Sequence, residues 1–229
     1  MKVPGIFDLE RFASFVEFIR TGPGIRSCIS SLPRKFLRYS PVRVSQTEWD
    51  SMYARGAWDR LRDIHELAHY SVIGGYIKFI RPNGTILDVG CGEGLLLDVT
   101  ASDTYSFYVG IDISEQAVQS ALKKKKQRAQ FIRAEAELYN AEQLFDVIVF
   151  NESLYYFDDP LRVVKRYERF LNKNGVFIVS MYERGKTRHV WKMLEMEYEV
   201  YDEVHISSGT QVFWDVKVLT PLGTTDPLE

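Results

Sequence analysis

The residues most able to do chemistry stand in ILDVGCGEGLLLD, residues 86–98, where Gly90, Gly92 and Gly94 alternate with other residues directly after a short apolar run. A strand that runs into bare backbone and then a helix start is a place where a ligand meets free main-chain N–H groups. A dinucleotide fingerprint spaces its glycines G-x-G-x-x-G, whereas here they run G-x-G-x-G, and the lysine of a phosphate loop is missing. Asp88 in front of the turn and Glu93 inside it add negative charge, which disfavours a pyrophosphate and suits a ligand carrying positive charge. Cys91, between two of the glycines, reads as a small packing residue whose backbone matters, not as a nucleophile.

The elements that must position this turn follow from periodicity. From Thr85 onward, apolar strand-like runs alternate with amphipathic stretches, the rhythm of a parallel sheet covered by helices. TILDVG, SFYVGIDI, QFIRA, LFDVIVF and VFIVSMY are strands, and EYEVYDEVHI and QVFWDVKVL, joined by SSGT, form an antiparallel C-terminal hairpin. Helices are expected over EGLLLDVTA, over SEQAVQSALKKKK with Ser114 as its cap, over DDPLRVVKRYERFLNKNG from Pro160 to a stop at Gly175, and over KTRHVWKMLEM. The fold class is therefore α/β, a doubly wound, mostly parallel seven-stranded sheet. Ahead of it, DRLRDIHELAHYSVIGGYIKFI places Leu61, Ile64, Ala68, Ile73, Ile77 and Ile80 near helical spacing, with Gly74 and Gly75 as a weak point. The expected organisation is an extension over residues 1–45, a catalytic domain over 46–220 whose first part, 46–82, covers the sheet, and a tail over 221–229.

Composition narrows the function classes. The chain has 229 residues and a net charge of −2, so no global attraction draws it to nucleic acid or an anionic membrane. Cys28 and Cys91 are far apart with no metal-ligand spacing, and no metal is expected. No apolar run reaches the roughly 20 residues of a spanning helix, and the reading is a cytoplasmic protein with reduced thiols. Residues 21–46 hold five basic residues and no acid, a segment that could dock weakly on a membrane or a protein. S-adenosylmethionine fits the glycine turn, because its sulfonium and ammonium are cationic and its one carboxylate can use a helix N-terminus.

With that cofactor in view, the segments resemble the class I S-adenosylmethionine-dependent methyltransferases of the Rossmann-like fold, over roughly residues 49–219. ILDVGCGEG looks like the family's first motif. The resemblance implies that Asp112, ending YVGID, accepts the ribose hydroxyls, with Ile113 packing on adenine. It places Glu135 and the Ala136 N–H of RAEAE at the adenine edge, where the family more often has an aspartate. FDVIVFNESLYYF looks like the fourth motif, whose strand end, Asn151 to Tyr155, lies beside the transferable methyl. Leu154 is expected against adenine, and Tyr53 and Trp58 of the preceding segment over the cofactor. Together with NESLYYF, that segment is locally similar to the nodulation N-methyltransferases and other small-molecule enzymes.

Methyl transfer from a sulfonium is an in-line displacement, so alignment and exclusion of water carry most of the catalysis. An amine or hydroxyl acceptor must also lose a proton, and Glu152, Tyr155 and His69 are the candidates, with His65 on the same helical face as His69. The function expected is transfer of a methyl group to nitrogen or oxygen of a small molecule, a saccharide or a secondary metabolite. Two other readings stay open at this point: an NAD-type oxidoreductase on a similar sheet, and a non-catalytic binding module that kept the fold.

Overall fold

The computed structural model describes residues 41–183, 185–208, 212–224 and 228, which all fall within one compact unit, Tyr39–Glu229. The amphipathic run over residues 7–20, Cys28 and most of the basic segment 21–46 lie outside the described residues.

Seven strands form one sheet in the order β3-β2-β1-β4-β5-β7-β6. They are β1 (Gly84–Val89), β2 (Tyr105–Asp112), β3 (Ala129–Arg133), β4 (Phe145–Asn151), β5 (Leu171–Tyr182), β6 (Tyr198–Ser208) and β7 (Val212–Pro221). The first five are mutually parallel, and β7 enters antiparallel between β5 and β6. The expected doubly wound sheet with its antiparallel terminal pair is what the chain forms. β1 lies between β2 and β4, so the connections depart in opposite directions at that point and leave a crevice at the carboxyl ends of the strands, where open α/β sheets bind ligands.

Helices α1 (Gln46–Ala54), α2 (Ile64–Ile80), α3 (Leu96–Val99), α4 (Glu115–Lys123), α5 (Pro160–Tyr167) and α6 (Thr187–Glu195) cover the sheet. Their ends follow local chemistry. Ser45 and Glu48 make a reciprocal capping box on α1, Ser114 caps α4, and Asp159 caps α5 with Pro160 in its first turn. Two separate cores result. Ile73, Ile77 and Ile80 of α2 close one face over Ile86, Tyr108, Val149 and Ile178, and α5 and α6 close the other over Leu87, Ile111, Phe150 and Val179.

Three expectations are corrected. The helix after the glycine turn spans only Leu96–Val99. The helix expected to reach Gly175 ends at Tyr167, passes through a 3-10 turn at Glu168–Phe170, and the chain has rejoined the sheet by Leu171, which pairs with Phe145. The stretch before the core is not one helix: a 3-10 turn, Asp59–Arg62, precedes α2, which runs unbroken through Gly74 and Gly75. Its buried face is also rotated from the one expected. Ile64 is 72% exposed, whereas His69 and Tyr70 are buried beside Ile73 and Ile77.

Candidate active site

The glycine turn is built by φ angles that only glycine adopts freely: +82° at Gly90, +53° at Gly92 and +69° at Gly94. Space is as restrictive as conformation. A Cβ at Gly90 would stand 2.7 Å from that of Ser153, and one at Gly92 would stand 2.9 Å from the Tyr53 hydroxyl. The N–H groups of Gly90 and Cys91 both donate to the Ile111 carbonyl, at 2.8 and 3.0 Å, which ties the turn to the end of β2.

Asp112 completes that tie. Its two carboxylate oxygens accept from Gly92 N and from Ser114 N, each at 2.8 Å, so one side chain fixes the glycine turn and the start of α4 together. Each oxygen keeps a further lone pair, as a ribose diol would require. Burial raises the Asp112 carboxyl to about 6, against the pull of its two backbone donors. Asp88, deeper in β1, is pushed up to about 7, again by burial, although Tyr108 donates to it at 2.5 Å. Its other oxygen is buried with no partner among the described residues. Glu93 is held by an ion pair with Arg62. Cys91 is buried, and burial together with the neighbouring acids pushes its thiol far up, in keeping with a packing role.

Over this edge lies an aromatic cover. Trp49 and Tyr53 of α1 and Trp58 after it have ring centroids 5.7 to 6.4 Å apart, and Trp49 meets Tyr156 edge-on at 4.9 Å. The cover is tied down at several points. Asp50 accepts from Ser114 Oγ at 2.7 Å, Arg133 donates to Gln46 Oε1 at 2.5 Å, and Arg43 binds Asp158.

The fourth-motif residues leave the end of β4. Asn151 is half-buried at the end of β4, where it pairs with Ser180 of β5. Glu152 sits at φ +55°, its N–H donating to the Ser180 carbonyl at 2.9 Å, and its carboxylate accepts from Tyr155 at 2.8 Å. Both side chains are half-buried. Ile113 and Ala136 are half-buried and Glu135 is exposed, all at the ends of β2 and β3, which the Ala134 N–H joins by donating to Asp112 O at 2.8 Å.

Two residues stand elsewhere than expected. Leu154 is fully buried in the core beneath α5, so its side chain has no surface to offer adenine. His69 is also sealed, stacked on Trp214, and burial drives its pKa down to about 3, which suits a neutral hydrogen-bonding group and not a base at neutral pH. His65 is exposed and lies near Ser208 on the β6 side. Residues not anticipated are Tyr70, Ser153 and Ser180. Ser180 had a visible signal, a hydroxyl inside the otherwise apolar run VFIVSMY.

The description of methyltransferase domains matches residues 80–214, well over half of the chain. The chain belongs to the class I S-adenosylmethionine-dependent methyltransferases. The methyltransferase is 29% identical over 119 residues to a ubiquinone biosynthesis O-methyltransferase of Pelagibacter ubique, covering 51% of this chain and 49% of that one. It is 26% identical over 132 residues to the ribosomal protein L11 methyltransferase of Thermotoga petrophila, with 53% and 49% covered. It thus spans about half the length of these relatives. Among solved structures, the N-methyltransferase NodS from Bradyrhizobium japonicum, in complex with S-adenosylhomocysteine, superposes with a TM-score of 0.62 at 16% identity over 76% of this chain and 98% of NodS. Membership of this family makes the cofactor S-adenosylmethionine, and the dinucleotide reading falls away. The residues fit it: three glycines open the backbone, and Asp112, tied to the turn by the Gly92 N–H, keeps a lone pair on each oxygen for a ribose diol.

Those carboxylates also predict a pH dependence. The folded forms of Asp88 and Asp112 hold protons that the unfolded chain has released, so stability without ligand falls as pH rises from about 4 through about 7 and is level above. Asp88→Asn, which keeps an oxygen for Tyr108, is expected to be more stable than the parent at pH 8, by roughly 2 kcal/mol, with the difference vanishing near pH 4. Urea unfolding at the two pH values checks this; a variant less stable at pH 8 would contradict it.

Proposed function

We propose that the enzyme methylates nitrogen or oxygen of a small molecule. The observation that carries this reading is the aromatic cover of Trp49, Tyr53, Trp58 and Tyr156, pinned over the strand ends by Asp50, Gln46 and Arg43. A roof so close to Gly92 suits an acceptor that can be enclosed, and it leaves little room for a folded protein surface.

S-adenosylmethionine supplies an electrophilic methyl carbon on a sulfonium. The chain's part is to hold, align and dry the reactants. Asp112 and the glycine turn would hold the nucleoside end, with Tyr53 above them. Glu152, oriented by Tyr155, stands at the end of β4 and would take the proton of an amine or hydroxyl acceptor. The ring cover excludes water.

Incubating the enzyme with methyl-labelled S-adenosylmethionine and a fractionated extract tests the acceptor class. Label is expected in the low-molecular-weight fraction; label confined to protein would overturn the reading.

A further inference from the structure

α2 is apolar on more sides than the sheet covers. Its 17 residues, IHELAHYSVIGGYIKFI, hold one acid, Glu66, and one lysine, Lys78. A helix with so few charges is ordinarily enclosed by protein. Here His69, Tyr70, Ile73, Ile77 and Ile80 are buried on the side that meets the sheet. On the opposite side Ile64, Leu67, Ser71, Gly75 and Phe79 recur every three or four residues and form one stripe along the helix. Ile64 is 72% exposed, Leu67 38% and Phe79 75%.

The stripe has relief as well as hydrophobicity. Leu67 and Phe79 flank a low saddle at Ser71 and Gly75. The Ser71 hydroxyl donates to the Leu67 carbonyl of its own helix at 2.8 Å, so it needs no outside partner. A Cβ added at Gly75 would meet no atom within 4 Å, so the space in front of it is open. The two ends carry opposite charge. Lys78 is exposed beside Phe79 at one end. At the other, Arg60 and Arg62 are engaged by Glu66 and Glu93, which leaves the exposed Asp63 as the unmatched charge there among the described residues.

We propose that this face of α2 is a self-association surface, on which a second copy of the chain packs its own α2 antiparallel about a two-fold axis. A two-fold axis makes a surface meet itself, so the surface must be self-complementary. With the axis near Ser71, Ile64 lies against the partner's Phe79 and Leu67 drops toward the partner's Gly75. Lys78 comes within a turn of the partner's Asp63. The small residues of the saddle let the two helices approach closely. A parallel copy would instead set lysine on lysine and aspartate on aspartate, which the charges oppose. The pairing is independent of the chemistry at the glycine turn.

Sedimentation equilibrium on the full chain, from about 1 μM to about 1 mM, reads this association. One helix pair is a small interface, so a monomer–dimer equilibrium with Kd on the order of 10–100 μM is expected. Gly75→Leu separates association from folding, because the added side chain fills the saddle yet starts in open space, and leucine favours a helix over glycine. At about 1 μM, where the chains are mostly monomeric, it is expected to melt no lower than the parent, while Kd rises at least about tenfold. Lys78→Asp is expected to raise Kd about five- to tenfold, since the two-fold repeats each contact, and adding Asp63→Lys to it is expected to restore Kd to within about threefold of the parent. A dimer of parental affinity in Gly75→Leu, or a double variant that stays as weak as Lys78→Asp, would overturn the proposal. So would a chain that is monomeric at every concentration, whether a membrane or another part of the chain then covers the face. Flotation of the parent and Phe79→Glu with phosphatidylcholine–phosphatidylglycerol vesicles tells those two apart.

Discussion

Gly90→Val is expected to lower affinity for S-adenosylhomocysteine by at least about 100-fold and to leave a folded protein with a cooperative melt. The backbone there is left-handed at φ +82°, which costs a β-branched residue on the order of 1–3 kcal/mol. The new Cβ would also stand 2.7 Å from the Cβ of Ser153, so either the glycine turn or the loop after β4 must move. Movement of the turn is felt at once at the cofactor. Gly90 and Cys91 share the Ile111 carbonyl, and Gly92 is held by Asp112, so displacing the first residue pulls the last from its carboxylate. Gly185→Ala, where an added Cβ meets nothing within 4 Å, is the control for a glycine change without consequence. Calorimetry on both variants reads the difference, and an affinity within threefold of the parent in Gly90→Val would remove the turn from the cofactor site.

Glu152→Gln should act on turnover and not on cofactor affinity. Glu152 occupies a left-handed conformation at the end of β4, fixed by its N–H on the Ser180 carbonyl, so its side chain is set by backbone as well as by the Tyr155 hydroxyl. Glutamine keeps an oxygen for Tyr155 and loses the ability to take a proton. Under the proposed mechanism, turnover on the true acceptor falls by about 10²- to 10⁴-fold, the range for a lost general base, while S-adenosylhomocysteine binds as tightly as before. Full turnover in this variant would mean that transfer proceeds by alignment alone.

The parts of this site that repeat a local rule were legible in the sequence. A strand, a glycine turn and an acid ending the next strand are encoded within residues 85–112, and the sheet brings them together because β1 and β2 are adjacent and parallel. The parts that depend on tertiary packing were not. His65 and His69 share a helical face by spacing, yet the first is exposed and the second sealed, because α2 meets the sheet only from His69 and its neighbours onward. Leu154 follows a strand end as a ligand-facing residue would, but a 3-10 turn sends its side chain into the core under α5.

The most direct test of the central claim, that the turn and its two acids bind S-adenosylmethionine, is a calorimetric titration of the unmodified chain with S-adenosylhomocysteine and, separately, NAD. One saturable site for S-adenosylhomocysteine is expected, with a raised melting temperature and no response to NAD. No heat and no thermal shift with S-adenosylhomocysteine at millimolar concentration, or an equal response to NAD, would contradict the account.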